Sequence, residues 1–141
     1  TGPVLPGARV ELGKARTVRA GSDITIVSWS KQVLACAEAA EALQAEGISA
    51  EVIDLRTIWP WDREAVLESA QRTGRLLVVH EAVQAAGFGA EIAATVAEHT
   101  NARVARLGAP RIPVGYAPSL EAVSRIGAAK VAAAVQALLQ R

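Results

Sequence analysis

The sequence predicts an α/β fold: a three-layer α/β/α sandwich around a mostly parallel sheet of four or five strands. Three observations predict it. Short apolar runs at 24–28 (ITIVS), 50–55 (AEVIDL) and 75–80 (RLLVVH) show little polar alternation, as strands covered on both faces do. Between them lie stretches whose apolar residues recur at spacings of three and four, the period of a helix. Strand and helix therefore alternate, as in βαβ units with right-handed crossovers. In such folds ligands and partners meet the carboxyl ends of the strands.

Residues 1–14 hold Pro3, Pro6, Gly2, Gly7 and Gly13, which suits an extended linker, so the folded domain is expected over 15–141. RTVRA at 16–20 is a candidate short edge strand, and Gly21, Ser22 and Asp23 form a turn. After the strand 24–28, Ser30 is a candidate N-cap for a helix over 31–46. Val33, Cys36, Ala40 and Leu43 share one face of it, and Gly47 sits where a helix ends in a left-handed residue.

The stretch 50–62 (AEVIDLRTIWPWD) then organises the rest. Val52, Ile53 and Leu55 supply strand bulk, while Asp54 and Arg56 mark the sheet edge. Pro60 bars a straight continuation, and Asp62 can cap the next helix by accepting its free N–H groups. That helix runs over 63–72 with Val66, Leu67 and Ala70 inward, and Gly74 ends it. The strand 75–80 follows, then a loop over 81–87 and a helix to about His99 with Ile92, Ala93, Val96 and Ala97 as its stripe. Residues 103–107 form a short strand, 108–118 a Pro- and Gly-rich loop, and 128–140 a closing helix with Val131, Val135 and Leu138 inward. Ile26, Val27, Val52, Ile53, Leu77 and Val78, each mid-strand, are the expected centre of the core.

Composition excludes several classes of function. Fifteen basic and fourteen acidic side chains give a net charge of +1, without the clustered cations of a nucleic-acid surface or an anionic-membrane surface. No apolar run approaches the ~20 residues that span a bilayer, and residues 1–15 lack a signal-peptide core. A single cysteine, Cys36, permits no intrachain disulfide and suits a reducing cytoplasm, the expected location. No methionine occurs, so Thr1 is not expected to be a natural start, and the chain reads as a piece of something longer.

Four motifs bear on chemistry. Gly87-Phe88-Gly89 opens a helix and could seat a phosphate, but the GxGxxG and Walker patterns are absent, and a tight entry into a packed helix is the preferred reading. His80 and Glu81 end a strand at the functional edge, where imidazole beside carboxylate can shuttle a proton. No nucleophile accompanies them, so a hydrogen-bonded pair that fixes the next loop is preferred. Two distant histidines and one inward-facing cysteine offer no metal-ligand spacing. Trp59 and Trp61 flank Pro60 on a loop, either as lids on the core or as anchors of a subunit interface.

The runs GKARTVRAGSDITIVSWS and AEVIDLRTIWPWDREAVLESAQRTGRLLVVHEA, followed by Ala86-Gly87-Phe88-Gly89-Ala90-Glu91, resemble one known domain. It is the C-terminal, transketolase-like domain of the β chain of thiamine-diphosphate-dependent 2-oxoacid dehydrogenases of the pyruvate, acetoin and branched-chain type. The resemblance covers residues 13–139. It implies a role in assembly and docking. Thiamine diphosphate and Mg²⁺ would belong to the intact enzyme, with no catalytic or cofactor-binding residue in this fragment. Implied partners are the α subunit, a second β subunit and the dihydrolipoyl acyltransferase core. Pyruvate dehydrogenase is the expected type. Interface residues are expected at Trp59, Trp61, His80 and Glu81, with acyltransferase docking in the region from Asn101 to Arg106, at Asn101 and Arg103 among its residues.

This chain departs from the family at three places. Asn101-Ala102-Arg103-Val104 replaces an acidic residue before Ala-Pro-Val, Arg111-Ile112-Pro113 replaces Asp-Thr-Pro, and no proline precedes the last helix near Ile126-Gly127. A C-terminal domain of transketolase or deoxyxylulose-phosphate synthase is the alternative on the same fold. A free-standing nucleotide-binding or regulatory domain is a third reading, but Trp29-Ser30-Lys31 supplies neither a glycine fingerprint nor an acidic phosphoacceptor cluster.

Overall fold

The computed structural model describes residue 7 and residues 9–140. Part of the expected linker, residues 1–6 and 8, lies outside the described residues, as does residue 141. From residue 9 to residue 15 the chain forms no strand or helix. It is pinned to the 50–62 stretch by two bonds: the Gly13 N–H donates to Thr57 Oγ1 at 3.0 Å and the Ala15 N–H to Asp62 Oδ2 at 2.9 Å.

The elements follow as β1 (Arg16–Arg19), β2 (Ile24–Ser28), α1 (Gln32–Ala45), β3 (Ala50–Asp54), α2 (Arg63–Thr73), β4 (Arg75–Val83), α3 (Gly89–His99), β5 (Arg103–Ala109), α4 (Pro118–Ser124) and α5 (Ala128–Leu139). They build one five-stranded sheet in the order β1-β3-β2-β4-β5. β1 pairs antiparallel with β3, and the other four strands are parallel. The chain steps from β2 to β3 on one side, then crosses to β4 and β5 on the other. The order therefore reverses between β2 and β4, the place where open α/β sheets form a crevice.

Successive strand residues point to opposite faces, and both faces are dry. Ile24, Ile26, Val52, Leu77 and Val79 meet Cys36, Leu43, Val131, Val135 and Leu138 of α1 and α5. Val27, Ile53, Leu76 and Val78 meet Val66, Ala70, Ile92 and Val96 of α2 and α3. This is the expected three-layer sandwich, and all six residues expected at its centre are buried. One polar cluster interrupts the second face at the amino ends of the strands. Glu51 accepts from Ser69 Oγ and from Arg72 Nη2, and Thr25 bonds Ser69 and Thr73.

Several local expectations are corrected. Ser30 does not cap α1; it takes a left-handed turn (φ 57°), and the helix opens at Gln32 with Lys31 before it. That turn buries Gln32, whose amide donates to the Ile126 carbonyl at 2.8 Å. β4 does not end at His80: its register shifts after Val79, and Val83 pairs with Ala109, so Glu81 lies in a strand rather than a loop. Ala97 is exposed, and Thr95 takes its place on the buried stripe of α3. The helix α4 was not foreseen; it begins at Pro118 and buries none of its residues. Gly47 and Gly74 do end α1 and α2 in left-handed conformations, at φ 81° and 70°.

Candidate functional site

The carboxyl ends of β2, β3 and β4 bring Trp29, Trp61, His80 and Phe88 together. Asp62 sets the stage from the β3 side. Its Oδ1 accepts from the Ala65 N–H at 3.3 Å, capping α2 as expected, while Oδ2 ties down Ala15. The loop from β3 to α2 thus leaves the sheet in one fixed path. Trp59 and Trp61, two residues apart across a cis Trp59–Pro60 bond, part company on it. Trp61 packs edge-on against Phe88, with centroids 6.3 Å apart, and joins the core face of α2 and α3. Trp59 is 80% exposed. Of the two readings the sequence left open, Trp61 takes the lid and Trp59 is free to serve as an anchor.

His80 corrects two expectations. It is 1% exposed, so it is not available as the interface residue expected at this position. Neither imidazole nitrogen has a hydrogen-bond partner, so no pair with Glu81 forms; the Glu81 side chain points to solvent from the next position of the strand. The ring instead stacks on Trp29, with centroids 5.4 Å apart and planes 15° off parallel. Phe88 meets the same Trp29 edge-on at 5.6 Å. Glycines wall the imidazole on the other side. A Cβ at Gly87 would stand 2.7 Å from its Cε1, one at Gly89 2.6 Å from its Cδ2 and Nε2, and one at Gly108 2.9 Å from its Cε1. The Gly87-Phe88-Gly89 motif is therefore a close-packing device around a buried ring, as the preferred sequence reading had it.

Burial is the main reason that the His80 pKa lies below the ordinary 6.5. The nearby Ala82 backbone pulls it upward without reaching hydrogen-bond geometry, and the positive charge of Arg106 lowers it further. The imidazole is thus a neutral, water-excluded group, unsuited to shuttling protons. Burial likewise pushes the Cys36 thiol up to about 12, against a smaller lowering by Ser28, which leaves it an unreactive hydrophobe.

Asn101 and Arg103 lie elsewhere. They sit at the amino end of β5, where Arg103 is in register with Arg75 and its N–H donates to the Gly74 carbonyl at 3.0 Å. Both are exposed. The structure therefore separates the six expected interface residues into two regions at opposite edges of the sheet. Trp29 and Phe88 complete the aromatic cluster; the sequence placed them after a buried strand and inside the glycine motif but gave neither a role of its own. The position of Trp29 directly after a buried strand was the available signal.

These residues offer no metal-ligand cluster. Among the described residues no three His, Cys, Asp or Glu side chains converge. At the carboxyl edge, Asp62 is committed to two backbone N–H groups and Asp54 faces Arg16 at 3.4 Å. Around the aromatic cluster, this edge offers shaped apolar surface.

Residues 13–131 match the family described as "Transketolase, C-terminal domain". Over 94% of its length the chain is 41% identical to the mitochondrial pyruvate dehydrogenase E1 component subunit beta of Dictyostelium discoideum, of which it covers 38%. Over 92% it is 40% identical to the 2-oxoisovalerate dehydrogenase subunit beta of Bacillus subtilis, covering 41% of that protein. A third relative, at 40% identity over 96% of the chain, is the acetoin:2,6-dichlorophenolindophenol oxidoreductase subunit beta of Cupriavidus necator, covered to 41%. The chain thus spans about two fifths of the length of the curated relatives it matches. Among solved structures, a split-gene transketolase in an inactive β4 tetramer superposes with a TM-score of 0.88 at 32% identity, over 97% of this chain and 46% of that one.

Proposed function

The chain belongs to the transketolase C-terminal domain family, and on that premise we propose that it is the assembly and docking domain of a 2-oxoacid dehydrogenase β subunit. The observation that carries this reading is 41% and 40% identity, over nearly the whole chain, to β subunits of two such dehydrogenases. On this reading thiamine diphosphate and Mg²⁺ serve the intact enzyme and are held outside this chain. Its partners are the α subunit, a second β subunit and the dihydrolipoyl acyltransferase core, in the cytoplasm. Pyruvate is the oxoacid we assign.

The residues present contribute surface rather than chemistry. Trp59 supplies a large apolar side chain on a loop fixed by Asp62 and Pro60, so little conformational freedom is lost when it is covered. Glu81 supplies exposed charge on the same carboxyl edge but in a different groove, with Lys31 and Gln32. We assign acyltransferase docking to the opposite edge, at Asn101 and Arg103. Where relatives of this family place an acid, Asn101 is neutral, so docking here should depend less on salt.

The test is reconstitution of the full-length β subunit with its α subunit and acyltransferase. Lipoamide acylation is measured with pyruvate, 2-oxoisovalerate and acetoin. Turnover is expected with pyruvate above the other two. A transketolase-type role is the second reading, favoured by the TM-score of 0.88 to the split-gene enzyme. Ketol transfer between sugar phosphates, with no 2-oxoacid turnover, would install it instead.

A further inference from the structure

A second feature of the carboxyl edge adjoins the aromatic cluster through Gly108. A cavity of about 500 Å³ opens beyond the ends of β4 and β5, against the start of α5. Arg106, Arg111 and Lys130 line it, and no Asp or Glu does. In a chain of 15 basic and 14 acidic side chains overall, three cations around one concavity are a local excess. None of the three is ion-paired; the ion pairs among the described residues involve Arg16, Arg72 and Arg125.

The cations differ in what they can offer. Lys130 Nζ is committed to the carbonyls of Ala122, Val123 and Arg125 at 3.3, 2.9 and 2.6 Å, so it contributes field rather than a contact. Arg106 is half-buried and held in one pose: its Nη1 donates to the Gln84 carbonyl at 3.0 Å. Gln84 is itself fixed, because its Oε1 accepts from the Gly108 N–H at 3.2 Å and its own N–H donates to Ala109 at 2.9 Å. The remaining N–H groups of that guanidinium are free to bind. Arg111 is exposed at the mouth. The positive charge of Arg106 also acts on the buried His80, lowering its pKa. Leu107 and Ile126 supply apolar wall.

We propose that this cavity binds a small oxyanion, a phosphate or carboxylate group on a compact apolar body, through the guanidinium groups of Arg106 and Arg111. A planar fork donating paired N–H bonds to an oxyanion is the strong, directional form of this contact. The pre-fixed Arg106 loses little freedom on binding, and Lys130 adds long-range attraction. Leu107 and Ile126 select for an apolar group attached to the anion.

The experiment is a calorimetric titration of the full chain with inorganic phosphate and, separately, with pyruvate as the carboxylate probe. Saturable binding of at least one, with a dissociation constant of about 1 mM or tighter, is expected. Arg111→Gln should weaken it about tenfold, and the distant Lys14→Gln should leave it unchanged. Arg111 is exposed, so this variant folds even if Arg106→Gln does not. Phosphate alone binding identifies a phosphate-bearing ligand; pyruvate binding identifies a carboxylate. The proposal is overturned if neither saturates, if Arg111→Gln binds as tightly as the parent, or if Lys14→Gln loses as much. It is overturned equally if only a hexaglutamate peptide binds, because the cavity is then a protein-docking feature.

Discussion

His80 shows how much one side chain's environment escapes the sequence. Its place on an apolar strand was legible, but its burial and the continuation of the strand beyond it were not. That burial is decided by Trp29, Phe88 and three glycines drawn from other parts of the chain. The same applies to the two tryptophans: identical neighbours in sequence, yet Phe88 claims only Trp61. The neutral imidazole gives a signed prediction. Its folded pKa lies below the unfolded value of 6.5, so the unfolded chain takes up the proton more readily. The stability tied to His80 is therefore complete above about pH 6.5 and is lost progressively as pH falls below it. Urea midpoints measured at about pH 8 and about pH 5 should differ in that direction, and His80→Leu should flatten the difference. Equal pH profiles for parent and variant would refute it. Gly89→Ala should cost about 1–3 kcal/mol, because the new Cβ meets a ring that Trp29 prevents from yielding.

At the scale of elements, the alternation of strand and helix was plain wherever a largely apolar segment was punctuated by a Gly, Pro or Asp. Asp62 is an example: a capping residue before an amphipathic run announced α2, and the cap is there. Asp62→Ala should cost about 1–2 kcal/mol, toward the upper end for a lost cap, since the N–H of Ala15 is orphaned as well. Chemical denaturation reads this directly; a change within about 0.5 kcal/mol would show that neither bond matters. Elements whose extent depends on pairing were less legible. The last residues of β4 exist as strand because β5 continues beside them through a shifted register, which no local pattern announces. Helix α4 buries nothing, so it left no periodic apolar face to find, only Pro118 at its first turn.

At the scale of the molecule, the two dry faces of the sheet followed from unalternating apolar runs and are present, whereas the strand order and its reversal between β2 and β4 were not legible in any local pattern. Leu77, fully buried in the central layer, should cost roughly 2–5 kcal/mol when replaced by Ala. A loss near that of a surface change would mean the core is not built as described. The grouping of expected interface residues was only partly legible, because which end of a strand a loop faces is a property of the whole sheet. Trp59 stands at one edge, while Asn101 and Arg103 stand at the other. The claim that this edge is an assembly surface is tested most directly by sedimentation velocity of the full-length β subunit mixed with its α subunit. Parent, Trp59→Ala and Trp61→Ala are compared, and a thermal melt is taken for each. Trp59→Ala should lose the complex and keep its melting temperature, whereas Trp61→Ala should lower the melting temperature. Undiminished assembly of the Trp59→Ala subunit would contradict the account.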